Sequence, residues 1–161
     1  MNILVTGGCG YVGTLLTEQL IQDGHSITVV DIQWFGNFLK QHPNLNILKR
    51  DIRETSLIPL DGVDVVIHLA NIANDPAVEL NPTLSWEVNV LAAQQLADYS
   101  IRNRLKHFIY ASSGSVYGVK DEPQVTEELS LVPISAYNKT KMVAERVLLS
   151  YADQMQVHCI R

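Results

Sequence analysis

The sequence predicts an α/β fold, a parallel sheet with helices on both faces. Three observations predict it. Apolar runs of strand length alternate with amphipathic stretches of helix length along the chain. Most of those runs are nearly continuous rather than alternating, the pattern of strands buried on both faces. The links between them carry turn residues, as in Asp23-Gly24-His25, His42-Pro43-Asn44 and Asp61-Gly62-Val63.

Taken in order, the first strand is expected over residues 2–5. It runs directly into TGGCGYVG, residues 6–13, and then a helix over 11–23. A second strand over 26–30 ends at Asp31, and a third follows over 46–49. The fourth, over 65–69, leads into the polar stretch NIANDPAVELNP, residues 71–82. That stretch either touches a substrate or approaches a helix, because Asn81-Pro82-Thr83 suits a helix start. The helix is expected over 83–101. A fifth strand over 107–111 closes on Ser112 and Ser113. Residues 118–135, rich in Pro, Glu and Ser, read as a surface loop before a helix over 136–153 and a sixth strand over 157–160. One domain spanning 1–161 is the expectation, long enough to bury a full core.

Composition narrows the function classes. Hydrophobic residues make up 47% and charged residues 18%, as in ordinary globular proteins. The net charge is −5 with no basic cluster, which argues against nucleic-acid partners. No apolar stretch reaches membrane-spanning length, and the start of the chain has no leader pattern. Cys9 and Cys159 have neither metal spacing nor a disulfide framework, and no other ligand cluster suggests a metal. A reducing, cytoplasmic setting is expected.

A strand, then glycines, then a helix is a phosphate cradle. Glycines allow the tight turn, the approach of main-chain N–H groups to a pyrophosphate, and close packing of helix on strand. The helix N-terminus favours the negative charge. Gly8, Gly10 and Gly13 match one spacing template and Gly7, Gly10 and Gly13 another; a ligand-free glycine turn is the alternative. Asp31 ends the second strand eighteen residues past Gly13, where an acid accepts hydrogen bonds from an adenosine ribose. Otherwise it is a solvated turn residue. No Lys or Arg follows until Lys40, so a 2′-phosphate would face a carboxylate without a cation, which favours NAD over NADP.

Tyr137 and Lys141 stand four apart on one helical face. An ammonium beside a phenol lowers its ordinary pKa of about 10, making a general base. As an isolated pair they would be a surface contact. Ser112 and Ser113 end a strand at the sheet edge where open α/β sheets bind ligands; a serine there bonds a substrate oxygen or satisfies the loop backbone.

TGGCGYVG, Asp31, Asp51-Ile52, His68-Leu69-Ala70, Asn89-Val90, SSGSVYG and Tyr137-x-x-x-Lys141, in this order and spacing, resemble an extended short-chain dehydrogenase/reductase of the NAD-dependent sugar-nucleotide epimerase/dehydratase family. The resemblance covers the whole chain. It implies a Rossmann-like, doubly wound parallel sheet in three αβα layers, lacking the family's C-terminal substrate lobe. It further implies that Gly7, Gly10, Tyr11, Val12 and Gly13 hold the pyrophosphate of NAD, and that Asp31 binds the ribose. Asp51 and Ile52 would flank the adenine, and Leu69, Ala70 and Asn71 would line the nicotinamide side. Asn89 would sit near the cofactor or support the active-site strand. Ser113, Tyr137 and Lys141 would be the catalytic set, with Tyr137 and Lys141 also touching the cofactor. The expected activity is epimerisation of a nucleotide-sugar through a keto intermediate. The alternatives are a reductase or dehydrogenase with net redox change, or an NAD-binding module without activity. A homodimer through the helices over 83–101 and 136–153 is expected.

Three positions depart from the family pattern. Gly114 and Ser115 stand where dehydratases carry Asp-Glu, which argues against dehydration. Ala70-Asn71 replaces Ala-Ala, and Ala92-Ala93 replaces Gly-Thr. Trp34, Phe35 and Phe38 read either as an aromatic lid beside the adenine or as a surface cluster over the sheet edge. His68 reads as a satisfied buried histidine and Cys9 as packing.

Overall fold

The continuous apolar runs become six strands: β1 (Asn2–Thr6), β2 (Ser26–Asp31), β3 (Leu45–Lys49), β4 (Val65–His68), β5 (His107–Ala111) and β6 (Gln156–Ile160). The computed structural model, which describes residues 1–161, pairs them in one all-parallel sheet of order β3-β2-β1-β4-β5-β6. β1 lies at the centre, with Ile3 opposite Ile27 on one side and Val65 on the other. Five helices accompany the sheet: α1 (Tyr11–Gln22), α2 (Asp75–Leu80), α3 (Pro82–Trp86), α4 (Ala92–Arg102) and α5 (Ala136–Leu149). This is the Rossmann-like α/β arrangement the sequence predicts.

Alternate strand residues feed two separate cores. Leu4, Val30, Val66, Phe108 and Tyr110 face one side, where they meet Val78, Leu96, Ala97, Ala144 and Leu148. Ile3, Val5, Ile27, Val29 and Ile67 face the other and meet Leu16, Leu20 and Ile21 of α1. The first face is closed by α2, α4 and α5. The second has α1 alone, since residues 32–44 between β2 and β3 form neither helix nor strand. A shallow depression of about 730 Å³ runs along the β3 edge there, bordered by Leu39, His42 and Ile47.

Strand ends agree with expectation to within a residue, but the helices differ in three ways. The stretch read as a polar approach contains α2, started by Asn74, whose side chain accepts from Ala77 N–H at 3.1 Å. The single helix expected over 83–101 is α3, a π-helical turn (Glu87–Leu91) and α4. A one-residue widening leaves the apolar pattern almost intact, so periodicity does not report it. α5 stops at Leu149 rather than 153 because the Ser150 hydroxyl donates to Val147 C=O at 2.6 Å. Tyr151 then docks on Asp98 at 2.8 Å. Residues 118–135 form the expected loop without regular structure. No helix is long and apolar enough to cross a membrane.

Candidate active site

The chain leaves β1 toward β2 and β4 toward β5, so the strand order reverses between these two neighbours. Crevices open at such reversals beyond the strands' carboxyl ends. A cavity of about 400 Å³ lies there. It is lined by Gly7, Gly10, Tyr11, Val12, Gly13, Asp31, Asp51, Ile52, Leu69, Ala70 and Asn71, residues expected there from the sequence.

The cradle is shaped by its glycines. Gly7 has φ +73°, and a Cβ on it would lie 2.6 Å from Ala70 N. A Cβ on Gly13 would lie 2.6 Å from Gly8 Cα. Gly8 packs against Val29, away from the cavity. The spacing that lines the site is thus Gly7, Gly10 and Gly13. α1 starts at Gly10 with no side-chain cap, so its first N–H groups face the cavity mouth without a side-chain acceptor. These features fit a dinucleotide pyrophosphate. So does Asn71, whose carboxamide Oδ1 and Nδ2 have no partner in the protein.

Asp31 is more than a solvated turn residue. Its Oδ2 accepts from Cys9 N–H at 3.0 Å and its Oδ1 from Gln33 N–H at 2.6 Å, tying the glycine loop to the segment after β2. The sequence argument that no cation stands near Asp31 is corrected by strand pairing. Arg50 N–H donates to Asp31 C=O at 3.0 Å, and Arg50 lines the same cavity. Asp51 is gripped by Arg53, which lies 2.7 Å away and bridges on to Glu87 at 2.9 Å. The Arg53 hydrogen bonds hold the Asp51 carboxyl below its usual range, against the opposing effect of burial.

Ser113, Tyr137 and Lys141 converge at the ends of β5 and α5, outside the cavity lining. Ser113 Oγ accepts from Ser115 N–H at 3.2 Å and lies 2.7 Å from Ser115 Oγ, which donates to Asn138 Oδ1 at 2.6 Å. Lys141 is 3% exposed; its ammonium donates to Ala111 C=O at 2.7 Å and lies 4.9 Å from the Tyr110 ring centroid. Burial lowers the Lys141 pKa to about 8. The expectation that Lys141 acidifies Tyr137 is corrected by the geometry. The ammonium is 5.9 Å from the Tyr137 ring centroid, and the Tyr137 pKa is raised, first by burial and then by Asp75, with a Ser113 hydrogen bond opposing.

Of the two places expected for Asn89, near the cofactor or in support, the structure has the second: it is fully buried and does not line the cavity. It accepts from Ile72 N–H at 2.8 Å and donates to Ile72 C=O and Thr140 Oγ1, each at 3.1 Å. Its amide clamps the segment after β4 to α5. It supports the site rather than lining it.

A model of the NAD dependent epimerase/dehydratase family matches residues 3–161. The chain belongs to this family. It is 28% identical over 158 residues to the UDP-glucose 4-epimerase of Lactobacillus helveticus, covering 96% of this chain and 48% of that protein. Among solved structures it is similar to a UDP-N-acetylglucosamine 4-epimerase from Methanobrevibacter ruminantium in complex with UDP-N-acetylmuramic acid. That match has TM-score 0.91 and 29% identity, over 99% of this chain and 54% of that one. It is similar as well to a dTDP-glucose 4,6-dehydratase from Streptomyces venezuelae with NAD bound, at TM-score 0.91 and 25% identity, again over 99% and 54%. The chain therefore spans about half the length of these relatives.

Against that family background, Glu145 escaped sequence reasoning, and His68 departs from the satisfied histidine expected. Glu145 is fully buried, accepts from Ser112 Oγ at 2.7 Å, and pairs with Arg161, which also donates to Tyr117 Oη at 2.7 Å. The available sign was a second four-residue step, from Lys141 to Glu145, on the helical face that carries Tyr137. His68, 1% exposed, bonds Thr6 Oγ1 through Nδ1 at 2.7 Å, but its Nε2 has no partner, so it is only half satisfied. Burial first, and Lys141 second, push its pKa down to about 3. Cys9 is buried with its thiol raised to about 11 by burial and Asp31, which fits a packing role.

Proposed function

We propose that this chain carries the NAD-binding and catalytic half of an enzyme that epimerises a nucleotide-sugar through a transient keto sugar. The observation that carries the reading is the meeting of Ser113, Tyr137 and Lys141 past the carboxyl end of β5, the end of the parallel sheet on which the glycine-lined cavity opens. Bound NAD⁺ supplies a hydride acceptor for the sugar carbon and a positive charge that favours the Tyr137 phenolate. Tyr137 Oη takes the proton of the sugar hydroxyl and returns it after the keto sugar has turned over. Ser113 Oγ, fixed by Ser115, donates a hydrogen bond to the same sugar oxygen. With NAD bound, Lys141 would exchange the Ala111 carbonyl for the cofactor ribose and would lower the Tyr137 pKa. Gly114 and Ser115 offer no acid for expelling water, which supports epimerisation over dehydration.

A second reading is an NAD-binding module without turnover, favoured by the Lys141 ammonium turned to the Ala111 carbonyl and by the raised Tyr137 pKa. Calorimetry with NAD, followed by turnover assays on UDP-, GDP- and dTDP-sugars, separates the two. Net oxidation or reduction of added nicotinamide would point to a reductase or dehydrogenase instead. Tyr137→Phe is expected to lower turnover by about 10²–10⁴-fold while sparing NAD binding; near-native turnover would remove Tyr137 from the mechanism. Exposed Trp86 and Leu91, at 38% and 50%, support pairing of two copies through α3, α4 and α5, which sedimentation tests.

A further inference from the structure

The segment after β2 presents two aromatic side chains at the cavity mouth, and its construction says why they stay there. Gln33, Trp34, Phe35 and Gly36 form a turn closed by Gly36 N–H donating to Gln33 C=O at 3.1 Å. Gln33 holds φ +61° and Gly36 φ +91°. The turn is tied down before and after. Asp31 accepts from Gln33 N–H, as described above. Asn37 Oδ1 accepts from Leu39 N–H at 3.0 Å and from the Cys9 thiol at 3.6 Å, and Leu39 is buried in the core beneath α1. Cys9 belongs to the glycine loop, so cradle and turn form one body.

Central turn positions usually hold Gly, Pro, Asn, Asp or Ser, chosen for backbone reasons. Here they hold Trp34 and Phe35, which are 57% and 87% exposed and both line the cavity beside Asp31. Nothing in the protein covers them, and keeping large apolar rings in water is unfavourable. A flat aromatic group seated next to a ribose-binding carboxylate would cover them. Asp51 and Ile52, just past the end of β3, line the same cavity.

We infer that Trp34 stacks on the adenine of the bound dinucleotide, with Phe35 closing the outer rim, so that the turn is an aromatic clamp for the adenosine end. The inference rests on the NAD reading above, and the test keeps the two apart. The chain has two tryptophans, so Trp86→Phe leaves Trp34 as the sole reporter. NAD and ADP-ribose are expected to quench Trp34 fluorescence, whereas nicotinamide mononucleotide leaves it unchanged. By calorimetry, Trp34→Ala should weaken ADP-ribose and NAD binding by about tenfold, the scale of one lost base–aromatic stack. Trp34→Phe should retain most of the affinity. Trp34 is exposed on a turn held by other residues, so the fold should persist in both variants. NAD binding with unchanged affinity in Trp34→Ala, and no quenching, would overturn the clamp and leave the NAD reading standing. Absence of NAD binding by the native chain would overturn both.

Discussion

The glycine-lined cavity and the Ser113, Tyr137 and Lys141 cluster, the two ends of the proposed site, are made of different material. The cradle end is main chain: Gly7, Gly10 and Gly13 bring backbone to the surface, and the uncapped start of α1 supplies the charge preference. The proposed catalytic end is side chain: Ser113, Tyr137 and Lys141 come from two elements and are held by a further tier. Asn89 clamps α5 through Thr140, and Glu145 ties Ser112 to Arg161. A main-chain site is specified by a few consecutive residues and has little to titrate. A side-chain site needs distant residues to agree, and it contains buried ionisable groups. The catalytic end should therefore be the more fragile one, and the one that responds to pH.

The largest effect is expected at the buried pair. Glu145→Ala leaves Arg161, with 16% of its side chain exposed, without its buried carboxylate and with only the neutral acceptors Tyr117 Oη and Glu127 C=O. Such a break costs about 3–5 kcal/mol. Urea unfolding should show it, with Glu145→Gln less severe because it keeps an acceptor for Ser112 and Arg161. If Glu145→Ala were as stable as native, the tier beneath the catalytic end would not be structural.

Acid should reveal His68 next. Its folded pKa of about 3 lies below the ordinary 6.5, so the unfolded chain binds a proton that the folded one refuses. Stability from this group is complete above pH 6.5 and declines as pH falls toward 3. The slope is about 1.4 kcal/mol per pH unit, so about 2 kcal/mol is lost by pH 5. His68→Gln should flatten that part of the stability–pH curve. An equal slope in native and variant would place the acid sensitivity elsewhere.

The same division explains what could be read from the sequence. The cradle was legible because tight turns and close approaches demand glycine at fixed, consecutive spacing. Tyr137 and Lys141 were legible because they are one helical turn apart. Arg50 was not, because only the pairing of β3 with β2 brings it beside Asp31, and the argument from Lys40 counted along the chain. The family resemblance leaves Asn89 either near the cofactor or in support, and only the fold decides, because its amide is spent entirely on Ile72 and Thr140. The ammonium of Lys141 turns to a carbonyl rather than to Tyr137, an orientation that helical spacing does not encode.

Two smaller effects sharpen the contrast from the cradle side. Gly13→Ala puts a methyl against Gly8 Cα and Gly7 C=O, backbone that cannot swing aside as a side chain would. A stability loss of about 1–3 kcal/mol is expected from overpacking. NAD affinity should fall with it, while the acid slope of His68 stays native, because the cradle carries no proton to exchange. The smallest effect belongs to the ion pair at the cavity's outer wall, where Arg53 and Glu87 are 41% and 43% exposed. Glu87→Gln should cost no more than about 1 kcal/mol, and less in high salt. Arg53 reaches Glu87 through one contact while Arg161 grips both Glu145 oxygens, so the gap between Glu87→Gln and Glu145→Gln reports burial together with that tighter grip. A comparable cost at both sites would mean that pairing itself, and not the absence of water around Glu145, holds the catalytic end together.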